Sequence, residues 1–358
     1  DWKKAHNKKV IGCYPMYLPE EIIHAAGALP VVIWRSNEAV TMGHSHVPPF
    51  NCGLTRSFVD DLVKGKLEFM DGMVFYRTCL QAQGLPFIVE QNAKPPYLEY
   101  LYLPALYPGN SVRDFLIDEL ERLKSSIEEY TGNRVTDDRL AQSIDIYNKN
   151  RRLMNTLFEL RRNKPGILRA KEVMAISQAG MLMPKEEHNR LLEKLLRKLE
   201  VREWGIQGRT KVVIYGGLCQ TVQFDLLDLI EELGMVVVDD DLYVGTRYYV
   251  NEVQLNDRPI LGLADRYLKR IPPCATKGDW ETDWTDYLIE KVRSTRANGI
   301  ISLMIKFCPP HLCYYPDIKR KLAKEGIPEV LVEVEHEIVS LEQIKTRLQS
   351  NMEIMGGI

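Results

Sequence analysis

The sequence predicts an α/β protein made of two α/β units with mainly parallel sheets, flavodoxin- or Rossmann-like, and a helical block between them. Three observations predict it. Short β-like apolar runs alternate with helix-like stretches over the first hundred residues, long amphipathic helices fill the middle, and the α/β rhythm returns after it. The expected boundaries are 1–110 for the N-terminal α/β domain, 111–205 for the helical domain and 206–358 for the C-terminal α/β domain.

Taken in order, Lys9 to Tyr14 reads as a strand. Pro19-Glu20-Glu21 opens a helix, with proline in the first turn and acids at the positive end of the dipole, and Gly27 closes it. Leu29 to Trp34 is a second strand, Ser57 to Gly65 a helix, Gly72 to Tyr76 a third strand and Tyr97 to Leu103 a fourth. From Ser111 to Arg202 apolar residues recur at helical spacing, as in Phe115, Leu116, Leu120, Leu123 and Ile127, and again from Leu191 to Leu199. The mixed charges from Lys185 to Arg197 are the solvated side of that last helix. Beyond Gly205 and Gly208, strands are expected at Lys211 to Gly216, Met235 to Asp239, Gly299 to Phe307 and Glu329 to Val334. Helices at Phe224 to Leu233 and Asp317 to Glu325 lie between them.

The chain has 358 residues, 45% of them hydrophobic and 27% charged, which fits a globular protein with more than one core. Lys plus Arg number 47 against 49 Asp plus Glu, so the basic excess expected of a nucleic-acid partner is missing. No apolar run approaches the roughly 18 to 20 residues of a bilayer span, and no charged-then-apolar leader precedes Val10. The expectation is a cytoplasmic protein with no membrane or nucleic-acid partner.

Seven cysteines, at 13, 52, 79, 219, 274, 308 and 313, remain to be explained. They are too sparse for a disulfide framework, and none form a C-x-x-C pair, which argues against a thioredoxin-like site or a zinc ribbon. Cys79, Cys219 and Cys308 each follow an expected strand, at the carboxyl end where such folds place ligands, and Cys52 sits in the loop Pro48 to Gly53 that leads into a helix. A helix N-terminus favours a thiolate through its free N–H groups and dipole. Thiols on separate loops suit an iron–sulfur cluster, whereas the alternative for any one of them is simple packing as a small hydrophobe. His44 and His46 precede Cys52 and His311 follows Cys308, which makes them candidate proton donors, or else structural histidines; His24 and His336 read as structural. Cys313 is either a further ligand or packed. No P-loop, G-x-G-x-x-G or H-E-x-x-H motif is present, so ATP hydrolysis by this chain itself is not expected; Gly216-Gly217 marks a phosphate loop or a tight backbone turn.

Pro19-Glu20-Glu21-Ile22-Ile23-His24-Ala25-Ala26-Gly27-Ala28-Leu29-Pro30 resembles the N-terminal signature of the 2-hydroxyacyl-CoA dehydratase and benzoyl-CoA reductase family. Asp71 to Cys79 resembles that family's strand ending in a cluster cysteine. Lys306-Phe307-Cys308, with Gly326-Ile327-Pro328 and Thr346-Arg347-Leu348, resembles its C-terminal signature. Within the family, Asp1 to Trp34 and Glu333 to Glu337 look most like the smaller, substrate-side subunits of ATP-dependent class I benzoyl-CoA reductase, and among those the gamma subunit.

The resemblance implies a [4Fe-4S] cluster held by Cys52, Cys79 and Cys308, with Cys313 a possible fourth ligand. It also implies a heterodimer with a homologous cluster-binding subunit. ATP-hydrolysing activator subunits with their own cluster would supply electrons, a ferredoxin would stand upstream, and an acyl- or aryl-CoA would be the substrate. On this basis the chain is expected to be an oxidoreductase subunit in the dearomatising reduction of benzoyl-CoA. The alternatives are a 2-hydroxyacyl-CoA dehydratase subunit working through a ketyl radical, a non-catalytic electron-relay subunit, and an iron-free α/β binding protein with buried thiols. The loop after Cys79 reads Leu80-Gln81-Ala82-Gln83 where many relatives have Cys-Asp, a departure that bears on local hydrogen bonding.

Overall fold

The computed structural model describes the chain apart from residues 1, 35, 37, 106–109, 205–209, 217–220, 278–282, 337–340, 357 and 358. Two four-stranded sheets organise it. In the first, β1 (Val10–Tyr14), β2 (Leu29–Val32), β3 (Gly72–Tyr76) and β4 (Tyr97–Leu101) lie in the order β2-β1-β3-β4. In the second, β5 (Thr210–Gly216), β6 (Met235–Asp241), β7 (Gly299–Ile305) and β8 (Glu329–Val334) repeat that order as β6-β5-β7-β8. Every pairing is parallel. The inner strands β1, β3 and β7 are buried along their whole length, as helices on both faces of a parallel sheet require. The strand order reverses between β1 and β3, and again between β5 and β7, which makes the carboxyl ends of those strands the expected ligand positions.

Helices Asn110–Thr131, Asp137–Asn163, Ala170–Leu182 and Lys185–Glu200 form the middle block. Local chemistry starts them: the Thr136 hydroxyl accepts from the Arg139 amide, and the Glu172 carboxylate accepts from the Arg169 amide at 2.7 Å. Leu116, Leu120, Leu123 and Ile127 pack on the first sheet together with Val253, Leu263 and Ile271, so the C-terminal part of the chain contributes to the first core. Met16 and Val32 in turn join the core of the second sheet.

Some boundaries differ from the sequence reading, each for a local reason. The strand at Met235 runs on to Asp241 because its three acids have partners: Asp239 meets Arg161, Arg162 and Lys291, Asp240 meets Arg161, and Asp241 meets Arg247. The strand from Gly299 stops at Ile305, and Phe307 takes a left-handed φ of 61° that turns the chain. The helices expected from Ser57 and Asp317 begin earlier, at Gly53 and Pro309, and in the second Pro309 and Pro310 are well placed in the first turn. Gly216 has φ +99°, and a Cβ there would stand 2.2 Å from the Leu303 carbonyl oxygen, so backbone geometry explains this glycine.

Candidate functional site

Three of the cysteines begin helices. Cys52 is the N-cap of Gly53–Val63, Cys79 of Leu80–Gln83, and Cys308 of Pro309–Lys324. The carbonyl of each accepts the first hydrogen bond of its helix, from Arg56, Gln83 and Leu312 respectively. Cys79 and Cys308 reach these positions because they follow β3 and β7, the strands next to the reversals of order in the two sheets. Gly53 permits the third approach: a Cβ there would lie 2.6 Å from the Cβ of His336, so only glycine lets this helix start so close to the segment after β8.

The three side chains line one cavity, together with Tyr14, Pro15, Thr78 and Thr276. It holds about 530 Å3 of empty space, counting its open mouth, and no Lys, Arg, Asp or Glu lines it. Burial pushes the Cys52 thiol up, partly offset by Thr55 and the first-turn amides, and pushes the Cys308 thiol up to about 12 in spite of the His311 amide. These are protonated thiols at neutral pH, and a bound metal would have to displace their protons. Among the described residues no three His, Cys, Asp or Glu side chains gather tightly enough to hold a single metal ion. Three thiols on separate loops around one cavity could serve a group larger than a single ion, with the first-turn amides after Cys52 and Cys308 favouring its negative charge.

Gln81 ties the three cysteine loops together. Its Oε1 accepts from the Cys52 amide at 2.8 Å, and its Nε2 donates to the carbonyls of Phe307 at 2.9 Å and Phe50 at 3.3 Å. The loop read as a departure from the resembled pattern is thus the clamp of the site. Sequence reading did not single out Gln81 or Thr276, since only the folded backbone brings residues 29 and 226 positions away onto one amide. Around these loops the apolar side chains of Phe50, Leu80 and Phe307 stay exposed.

His311 lines the cavity, stacked on Trp284 with ring centroids 5.6 Å apart. Burial, with the charge of Arg247, brings its imidazole down to about 4, so it is neutral at pH 7. His44 and His46 lie on an exposed turn around Gly43–Ser45 and do not line the cavity. Cys313 is exposed on the helix that Cys308 starts and does not line it either. Cys13 is buried in the first core, and Cys219 lies outside the described residues. Cys274 is buried and hydrogen-bonded. His24 bonds Ser143 and Glu186, and His336 bonds the Glu38 carbonyl at 2.7 Å. No helix among the described residues is long and apolar enough to cross a membrane.

Known proteins resemble the chain in sequence over nearly its whole length. The chain is 31% identical to a benzoyl-CoA reductase subunit of Thauera aromatica, over 92% of this chain and 86% of that one. It is 28% identical to the (R)-phenyllactyl-CoA dehydratase beta subunit of Clostridium sporogenes and 26% identical to the (R)-2-hydroxyglutaryl-CoA dehydratase beta subunit of Acidaminococcus fermentans, each over 97% of this chain and 92% of the relative. Residues 15–355 match the family described as 2-hydroxyglutaryl-CoA dehydratase, D-component, and the chain belongs to that family.

Proposed function

We propose that this chain is the iron–sulfur subunit of an ATP-dependent benzoyl-CoA reductase, with Cys52, Cys79 and Cys308 holding a [4Fe-4S] cluster. One observation carries the reading: three cysteines from separate loops, each at a helix N-terminus, share one uncharged cavity. When bound, the cluster supplies single low-potential electrons for reduction of an aryl-CoA thioester. The chain's own residues fix and shield it. Gln81 holds the three loops in register, first-turn amides face the sulfurs of Cys52 and Cys308, and Tyr14, Pro15 and Ile305 keep water away from one side. Cys313 stands apart, which leaves three thiolates among the described residues. The exposed Phe50, Leu80 and Phe307 around the cysteine loops are the surface offered to partners, namely a homologous cluster subunit and an ATP-hydrolysing activator that is itself supplied by ferredoxin.

A second reading, a 2-hydroxyacyl-CoA dehydratase subunit, is favoured by the dehydratase relatives that cover 97% of the chain. Anaerobic purification with the native partners, followed by iron and acid-labile sulfide analysis, tests the cluster. Turnover is then compared on benzoyl-CoA and a 2-hydroxyacyl-CoA with ATP and a strong reductant. Absence of iron would remove both readings. Consumption of the hydroxyacyl thioester alone would replace the reductase by the dehydratase.

A further inference from the structure

A second cavity lies deeper in the protein, lined among others by Tyr17, Glu20, Glu21, Arg151, Lys185 and Tyr248. The space open to water centres is about 30 Å3, room for one or two waters. Its walls are charged where those of the cysteine cavity are apolar. Arg151 pairs with Glu21, Lys185 Nζ stands 3.7 Å from Glu20, and the Tyr248 hydroxyl donates to the Glu20 carboxylate at 2.7 Å. Burial raises the Glu20 carboxyl, against Lys185 and Tyr248.

Cys274 joins the two cavities. Its sulfur is 3.3 Å from the hydroxyl of Tyr17, which lines the polar cavity, and 3.2 Å from the hydroxyl of Thr276, which lines the cysteine cavity. Arg247, which can only donate, gives Nη1 to the Tyr17 oxygen at 3.3 Å. Either partner can donate in each sulfur contact, so one arrangement directs the Tyr17 proton to the sulfur, the thiol proton to Thr276 and the Thr276 proton to the cavity that this residue lines. The backbone enforces the line. Tyr17 has φ 63°, a left-handed conformation costly for an aromatic residue, and reciprocal backbone hydrogen bonds between Cys274 and Lys277 fix the turn that presents Thr276. Packing alone asks for none of this. Cys13, buried to the same degree, has its sulfur 3.9 Å from the Ile11 carbonyl instead.

We infer that Tyr17, Cys274 and Thr276 form a proton wire from the buried polar cavity to the cysteine cavity. A proton arriving at the Tyr17 oxygen releases the tyrosine's own proton to the sulfur. The thiol proton passes to the Thr276 oxygen, and the threonine proton leaves into the cysteine cavity. One proton enters, one leaves, and no group changes oxidation state. The inference rests on the proposed function only for the reaction that consumes the proton, since ring reduction and dehydration both need protons there; the wire itself belongs to the metal-free chain.

Infrared absorption of the thiol groups tests it on the full chain without metal. The Cys274 band is assigned by its loss in Cys274→Ser, and the Cys13 band by its loss in Cys13→Ala. On transfer to heavy water, Cys274 should exchange at least about tenfold faster than Cys13, because equal burial would otherwise give similar opening rates. Tyr17→Phe combined with Thr276→Val should bring Cys274 down to the Cys13 rate. A Cys274 thiol that exchanges as slowly as Cys13 in the unaltered chain, or at an unchanged rate in the double variant, overturns the wire. In the reconstituted complex, Tyr17→Phe and Thr276→Val should each lower kcat by about tenfold or more and enlarge the solvent deuterium isotope effect at unchanged iron content. Cys274→Ser, which keeps a donor and an acceptor, should retain turnover where Cys274→Ala loses it. Normal turnover and isotope effects in all of these variants overturn proton delivery, whereas a complex without iron defeats the proposed function and leaves the thiol-exchange result standing.

Discussion

Replacing Gln81 by alanine removes three hydrogen bonds that join three separate loops, so the loss falls on the site and not on the helix that carries the residue. Two of them, to the Cys52 amide at 2.8 Å and the Phe307 carbonyl at 2.9 Å, have good length, and the one to Phe50 at 3.3 Å is longer. At about 1 kcal/mol for each good bond and less for the partly solvated third, the variant should lose about 2 kcal/mol. Gln81→Glu separates the contributions. A carboxylate still accepts from the Cys52 amide, but it cannot donate to the two carbonyls and faces them with negative charge, so the cost should equal or exceed that of alanine. Urea titration gives the stability from the midpoint at constant slope, and amide exchange at Cys52 reads the site directly. In cluster-loaded protein, iron retention during dilution should fall in both variants. Both variants within about 0.5 kcal/mol of the parent, with unchanged iron retention and unchanged Cys52 exchange, would show that the loops hold themselves and that Gln81 is no clamp.

Asp60 accepts from the amides of Thr41, Met42 and Gly43 on Oδ1 and from Lys64 on Oδ2; burial raises it, but Lys64 and these amides prevail and bring it to about 2. Its stabilisation of about 2 kcal/mol is present above the ordinary value of 3.8 and lost as pH falls toward 2, so Asp60→Asn should cost that much at pH 7 and flatten the acid limb of the stability curve. His188 is held neutral at about 4, first by burial and then by Lys185, with Nδ1 bonded to the Asn150 amide nitrogen and Nε2 to the Ile176 carbonyl. Its contribution is full above 6.5 and lost as pH falls through 4, a change of about 3 kcal/mol that His188→Leu should remove from the urea midpoint between those pH values. Lys185→Met leaves Glu20 charged and buried and should cost about 3 kcal/mol by urea denaturation, while adding Glu20→Gln should recover more than half of it. A double variant no better than the single one would mean that Lys185 acts by packing.

The parallel strands were legible because each is a short apolar run ended by a turn signal, and Gly72–Tyr76 and Glu329–Val334 have the predicted ends. The buried Asp239 and Asp240 of β6 were harder to place, since their partners Arg161, Arg162 and Lys291 are far away in sequence. The same limit applied at the site. Strand ends pointed to Cys79 and Cys308, and the loop before a helix pointed to Cys52, because those are local patterns. Histidine position was a partial guide: His44 and His46, eight and six residues before Cys52, face solvent, whereas His311, three residues after Cys308, lines the cavity.

The repeated sheet order explains why two cysteines of similar local character serve different purposes. In the first unit, Cys52 comes after the second strand and before the helix that leads to β3, and Cys79 follows β3. In the second unit, Cys274 comes after β6 and before the helix Trp284–Thr295 that leads to β7, and Cys308 follows β7. The pairs Cys52 with Cys79 and Cys274 with Cys308 are therefore topological counterparts, and the other three sulfurs lie close enough to raise the Cys308 thiol further. They part in what the next few residues do. After Cys52 the chain enters a helix at Gly53 and the sulfur stands at its N-terminus beside the cavity. After Cys274 it makes a tight turn to Lys277, and the sulfur is drawn back 3.3 Å from Tyr17, a residue of the first unit. A buried thiol with a hydroxyl on each side has no open face toward a metal. Among the described residues the second unit thus contributes the Cys308 thiol to the cavity, and Cys274 stands between that cavity and the charged interior.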